Sequence, residues 1–245
     1  MKILSHLVLF AFCLAAAPAA AQPQGDAARD PLAIIAAFKE ATGGAAWDGM
    51  NGLRRTDTYS GQTYLTWVDL RRPAIRMESQ GSGDRRVEGY NGRDAWWRGG
   101  RFTYDIGDGF GVSRALLDQY QATTDAFIAA QGYFFPERFP FAANWLRTER
   151  EGEAVLDVIE LAPDGGFVRD YWFDRASGLL VRITTPEDPR ATRIELGDYR
   201  AVGPVRLAHS RTLRSWRGGV LDQGQLRRAE FRTIPARIFE PGAAP

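Results

Sequence analysis

Cysteine is nearly missing from this chain: Cys13 is the only one, and it lies in the amino-terminal apolar run. Histidine is almost as scarce, with His6 and His209, and lysine is confined to Lys2 and Lys39. These scarcities remove whole classes of chemistry. One cysteine forms no internal disulfide, and one histidine beyond the apolar run excludes HExxH zinc sites and every other multi-histidine metal site. An excess of one charge is missing too, since 31 Lys and Arg face 30 Asp and Glu for a net charge of +1. A generic electrostatic grip on nucleic acid or on an acidic membrane is thereby disfavoured. No apolar run reaches the roughly 20 residues that a helical bilayer span requires.

What is present describes a folded, turn-rich chain: 26 Gly, 14 Phe, 8 Tyr and 7 Trp in 245 residues, with 44% apolar composition. That is material for one sizeable core, so a single domain over residues 22–245 is expected, ordered from about 30 to 240. Residues 1–21 have the layout of a cleaved secretory signal: Lys2, an apolar core from Ile3 to Leu14, then small residues ending Ala19-Ala20-Ala21. Phe12 stands where a lipobox needs a small residue, so cleavage after about Ala21 is expected rather than lipidation of Cys13. The expected location is the periplasm, with no integral membrane span after processing.

Asp30-Pro31 opens a short amphipathic helix with Leu32, Ile35 and Phe38 on one stripe, ended by Gly43-Gly44. From about residue 52 the pattern changes to alternation with period two, as in Tyr64, Thr66, Val68 and Leu70. Asn91-Gly92, Gly99-Gly100, Asp164-Gly165, Ser177-Gly178, Gly203-Pro204 and Gly218-Gly219 then supply the tight turns of antiparallel hairpins. One interruption is helical: from Ser113, the residues Leu116, Leu117, Tyr120, Thr124, Phe127 and Ile128 share a face that stops near Gly132. An aromatic loop follows over 133–145, where Pro136 and Pro140 make a regular central strand unfavourable. The Pro241–Pro245 tail is expected to fray.

The implied fold is mainly β (α+β): one long antiparallel sheet that curls and has a concave face to fill, with the two helices as its cover. Partial filling leaves an apolar pocket for a hydrophobic ligand. Complete filling leaves a plain sandwich. Catalytic constellations are not evident: His209 lies in the alternating run Val205, Leu207, His209, Arg211 without a G-x-S-x-G partner, and Gly107, Gly109 and Gly111 match no phosphate loop. No metal and no cofactor are expected, and nucleic acid is not an expected partner.

Two stretches, Trp67-Val68-Asp69-Leu70-Arg71-Arg72-Pro73-Ala74-Ile75-Arg76-Met77-Glu78 and Tyr90-Asn91-Gly92-Arg93-Asp94-Ala95-Trp96, resemble the LolA/LolB-like family of periplasmic lipoprotein carriers. Tyr171-Trp172-Phe173-Asp174 with Ser177-Gly178-Leu179, and Asp198-Tyr199-Arg200 through His209, are similar to segments of its outer-membrane lipoprotein-sorting branch, in the same order. The resemblance implies an open half-barrel with a helical lid and an interior for acyl chains of lipoproteins or another hydrophobic ligand. It implies delivery to an inner- or outer-membrane docking partner, without catalysis. It places Arg72 where family members couple the lid to cargo transfer, and Ile75 and Met77 on the cavity wall. With Trp67 and Trp96 from the motifs and Leu116, Leu117, Tyr120, Phe127 and Ile128 from the second helix, these form the candidate cavity and lid set. Two readings compete: a ligand-sensing regulatory module of the cell envelope on the same fold, and more remotely a periplasmic hydrolase using His209. Ala208 departs from the family by replacing the proline before His209, and segment 133–145 has no counterpart.

Overall fold

The computed structural model describes residues 27–80, 86–99, 110–113, 116–186 and 192–243. The expected leader, residues 1–21, lies outside them, as do Gly107, Gly109 and the first residues of the expected second helix at 114–115.

Helix α1 spans Pro31–Thr42. Asp30 caps it by accepting a hydrogen bond from the Leu32 amide at 2.9 Å, Pro31 fits its first turn, and Gly43 ends it at φ 138°. Ile34, Ile35 and Phe38 form its buried stripe, whereas Leu32, expected on that stripe, is exposed. A short 3₁₀-helix, Gly44–Gly49, then buries Trp47. Six strands follow: β1 Gly52–Tyr59, β2 Gln62–Asp69, β3 Ala74–Gln80, β4 Val87–Tyr90, β5 Ala95–Arg98 and β6 Phe110–Ser113. Helix α2 is Leu116–Ala129, so Ser113 ends a strand rather than opening the helix.

Seven more strands complete the chain: β7 Phe141–Glu151, β8 Ala154–Pro163, β9 Arg169–Asp174, β10 Leu180–Thr184, β11 Arg193–Val202, β12 Val205–Arg214 and β13 Val220–Phe231. The aromatic segment divides: Tyr133 and Phe134 lie in a 3₁₀-turn, Pro136 and Pro140 occupy the turns after it, and from Phe141 the chain is already β7. That strand forms because it lies at a sheet edge and both prolines precede it, and its pairing with β8 is interrupted by a register shift between Trp145 and Arg147.

The thirteen strands among the described residues form one antiparallel sheet in the order β6-β5-β4-β3-β2-β1-β13-β12-β11-β10-β9-β8-β7. Two meanders are thus joined where β1 pairs with β13, Leu53 facing Phe231 and Tyr59 facing Gly224. The edge strands β6 and β7 are not paired with each other, which leaves an open half-barrel as expected. Glycines at positive φ make the expected turns, among them Gly92, Gly165, Gly178, Gly203 and Gly218.

Alternation along the strands sends Leu53, Val68, Ile159, Tyr171, Phe173, Val205 and Leu207 to the inner face. There they meet Ile34, Ile35 and Phe38 of α1, Trp47, Phe127 of α2, and the aromatic block Tyr133, Phe134, Phe135 and Phe139. Rings interlock edge to face, Phe38 on Phe173 at 5.5 Å and Tyr133 on Phe134 at 5.0 Å. The opposite face of β2 and β3 is covered by the C-terminal segment: Leu65, Trp67 and Ala74 pack under Ile238 and Phe239. Arg76 secures this strap, donating to Glu78 Oε1 at 2.6 Å and to the Ile238 and Ala243 carbonyls at 3.1 and 2.8 Å. The tail expected to fray is therefore docked as far as Ala243.

Candidate functional site: a polar-rimmed hollow on the inner face

The packed core fills the inner face beneath α1 and the 133–139 block. Toward the opposite ends of β1, β2, β12 and β13 the same face leaves a hollow of about 550 Å³. Its walls follow from strand register. Tyr59 and Tyr64 flank the β1–β2 turn, Met77 and Ser79 come from β3, Glu88 from β4, Arg211 and Leu213 from β12, and Asp222 and Gly224 from β13. Gln62 and Arg86 complete it. The Tyr59 and Tyr64 rings meet at 5.5 Å, tilted by 60°, and the Tyr59 ring lies so close over Gly224 that a Cβ there would fall 2.0 Å from it. A glycine is needed at 224 for this contact. The hollow thus exists, but its lining is mixed where an apolar one is expected: Met77, Leu213 and two tyrosine rings alternate with two arginines and two carboxylates.

The charges are arranged unequally. Arg86 donates to Glu88, and Ser60 donates to Asp222 at 2.7 Å. Arg211 lies 5.4 Å from the Tyr59 ring centroid, a cation–π contact, and makes no hydrogen bond or ion pair among the described residues. Asp125 of α2 does not line the hollow but lies within electrostatic reach of Glu88 and Arg211. It accepts from Gln121 at 2.9 Å, and desolvation pushes its carboxyl up to about 6, helped by the like charge of Glu88 and opposed by Arg211 and Arg169. On the same strand face, between the hollow-lining Tyr59 and the core residue Leu53, Arg55 donates to the buried Asp57 at 2.7 Å.

The residues expected to line a cavity or lid are dispersed. Met77 lines the hollow, and Ile75, two residues earlier on the same face, packs against the core and against Tyr90. Trp67 and Trp96 lie on the opposite face under the C-terminal strap, where Trp96 donates to the Phe239 carbonyl at 2.8 Å. Arg72 pairs with Asp69 at 3.0 Å in its own turn and lies 5.8 Å from the Phe239 ring of the C-terminal strap. Phe127 is core, Ile128 packs against it, and Tyr120 meets Phe167 at 5.6 Å. Leu116 and Leu117 are 67% and 70% exposed. His209 is a half-buried strand residue whose Nε2 has no partner among the described residues. Arg211 and Asp125 were not distinguishable in the sequence as site residues; the one available signal was Arg211 on the inner-facing alternation of Val205 and Leu207. No helix among the described residues is long and apolar enough to cross a membrane.

No protein-family model and no curated protein matches the chain. Solved structures do. A LolA superfamily protein from Nitrosomonas europaea superposes with a TM-score of 0.55 at 12% identity, over 87% of this chain and 98% of that one. A DUF1329 family protein from Desulfovibrio piger gives 0.54 at 10% identity, over 86% and 98% of the two chains. A domain assigned to outer membrane lipoprotein sorting from Vibrio parahaemolyticus gives 0.52 at 13% identity, over 83% and 92%. The curled sheet, the helices on its inner face and these superpositions together establish that the chain has a LolA-like fold.

Proposed function

We propose that this chain is a non-catalytic carrier or chaperone of the cell envelope, exported by its leader, that shelters the acyl part of a lipoprotein or a related amphiphile and passes it to a membrane partner. The observation that carries this reading is the hollow of about 550 Å³ on the helix-covered face of a LolA-like sheet. Its volume lies within the roughly 300–1,000 Å³ of sites that hold one small ligand. The lipoprotein-sorting assignment of the Vibrio parahaemolyticus domain agrees with it.

The energetics suit transfer. Burying a chain gains about 0.8 kcal/mol per CH₂, so a fully apolar, enclosed site would hold cargo too firmly for release without an energy source. Here polar groups interrupt the wall, and only part of a chain is desolvated. Of the two helices, α1 is fixed by Ile34, Ile35 and Phe38 in the core. In this reading the part that moves is the amino-terminal end of α2, where Leu116 and Leu117 are exposed, while Phe127 anchors its carboxy-terminal half in the core.

The test is to purify the protein from its native envelope, extract it with solvent and identify what is released by mass spectrometry. Acylated molecules in stoichiometric amount are expected. An empty extract contradicts the carrier reading and favours a sensing or structural one.

A further inference from the structure

We propose that the hollow selects an anionic single-chain amphiphile, the acid group of its head, a phosphate or carboxylate, bound by the Arg211 guanidinium and its chain laid along Leu213, Met77 and Tyr64. This assignment rests on the carrier reading and specifies its cargo.

Two charges on the wall are already engaged within the protein. Glu88 is held by Arg86, and Asp222 accepts from Ser60. On the described side of the recess Arg211 is the lining arginine whose donors meet only the face of a tyrosine. A guanidinium seated on a ring keeps its edge free, and that edge is the donor fork that binds carboxylate and phosphate oxygens in pairs. Cross-strand register fixes its direction: Arg211 faces Leu196 on one side and Gly224 on the other, so no bulky side chain of β13 stands beside it. Apolar surface begins two residues away on the same strand face, at Leu213, which lines the hollow with Met77 of β3 and Tyr64 of β2. A head at Arg211 with a tail toward Met77 therefore uses both halves of the mixed lining, which a neutral hydrocarbon does not. Asp125 limits the field of Arg211 from α2, and protonation of that carboxyl at acid pH strengthens the site for an anion.

The test compares two probes with the same chain, oleoyl lysophosphatidylglycerol and mono-oleoyl glycerol, titrated below micelle formation into the full chain, into Arg211→Gln and into Arg211→Lys. The wild type is expected to prefer the anionic probe by roughly ten- to a hundredfold, the strength of one charge-assisted hydrogen-bonding pair. Arg211→Gln is expected to bring that ratio near one, with Arg211→Lys between them. Equal affinities in the wild type, or an undiminished ratio in Arg211→Gln, overturn the head-group assignment while the carrier reading stands. Binding of neither probe overturns both. Inorganic phosphate is added as a competitor: no displacement at millimolar concentration supports an amphiphile, and full displacement shows a site for the free anion and overturns the proposal.

Discussion

At the scale of single residues, the structure distinguishes charges that build the fold from charges that face the hollow. Arg76 belongs to the first kind: buried with Glu78, it is flanked by the Trp67 and Trp96 rings, each 5.6 Å away, and holds two carbonyls of the C-terminal strap. Arg76→Ala takes the guanidinium from the buried Glu78 carboxylate and from two strap carbonyls, and is expected to cost about 3–5 kcal/mol in urea denaturation. Removing Glu78's charge in the same chain should return part of that loss. Asp125 acts on the second kind from outside the lining, through its electrostatic interactions with Glu88 and Arg211. Its carboxyl titrates near 6 in the folded chain, above the ordinary carboxylate value near 3.8. The folded state therefore binds more protons than the unfolded one between these values, and its contribution to stability falls as pH rises. Asp125→Asn, which keeps the Gln121 hydrogen bond, should be more stable than wild type at pH 7.5, the gap closing as pH drops through 6 toward 4. Thermal melts across that range check the sign.

At the scale of elements, what could be read from the sequence was local. Asp30-Pro31 and Gly43 set the limits of α1 because capping is chemistry between near neighbours, and the glycine turns set the hairpins for the same reason. Helix α2 was legible as a helix but not in its role: Leu116 and Leu117 share its apolar stripe by spacing yet stay exposed, while Phe127 is only 1% exposed. Phe127→Ala is accordingly expected to cost about 3–5 kcal/mol, and Leu117→Gln less than about 0.5 kcal/mol, measured by chemical denaturation. Gly224 gives a sharper case at the β12–β13 wall. An alanine there collides with the Tyr59 ring, so Gly224→Ala should destabilise by about 1–3 kcal/mol and weaken ligand binding together. Nothing in the local sequence announces that requirement, because Tyr59 is brought to Gly224 by pairing between the first and last strands.

At the scale of the whole molecule, the decisive contacts join distant parts of the chain. The β1–β13 pairing brings the two meanders into one curved sheet, and the aromatic block 133–139 fills one half of its concavity. Strand alternation and closely spaced turns foretold a curled sheet with helices on it. They could not foretell how the filling divides. That depends on which side chains of the 133–139 block reach Phe38 and Tyr171, and on the Arg55–Asp57 pair between Leu53 and Tyr59. The result is a solid aromatic half and an amphipathic hollow half, in place of one continuous apolar cavity.

The central claim is that this hollow receives an acyl chain, and the most direct measurement is a binding isotherm for mono-oleoyl glycerol on the wild type and on Met77→Trp, whose indole would occupy the space beside Tyr64. Saturable one-to-one binding to the wild type and at least a tenfold loss in Met77→Trp are expected, with the melting temperature little changed. Binding that fails to saturate, or that is indifferent to a tryptophan at position 77, would contradict the claim.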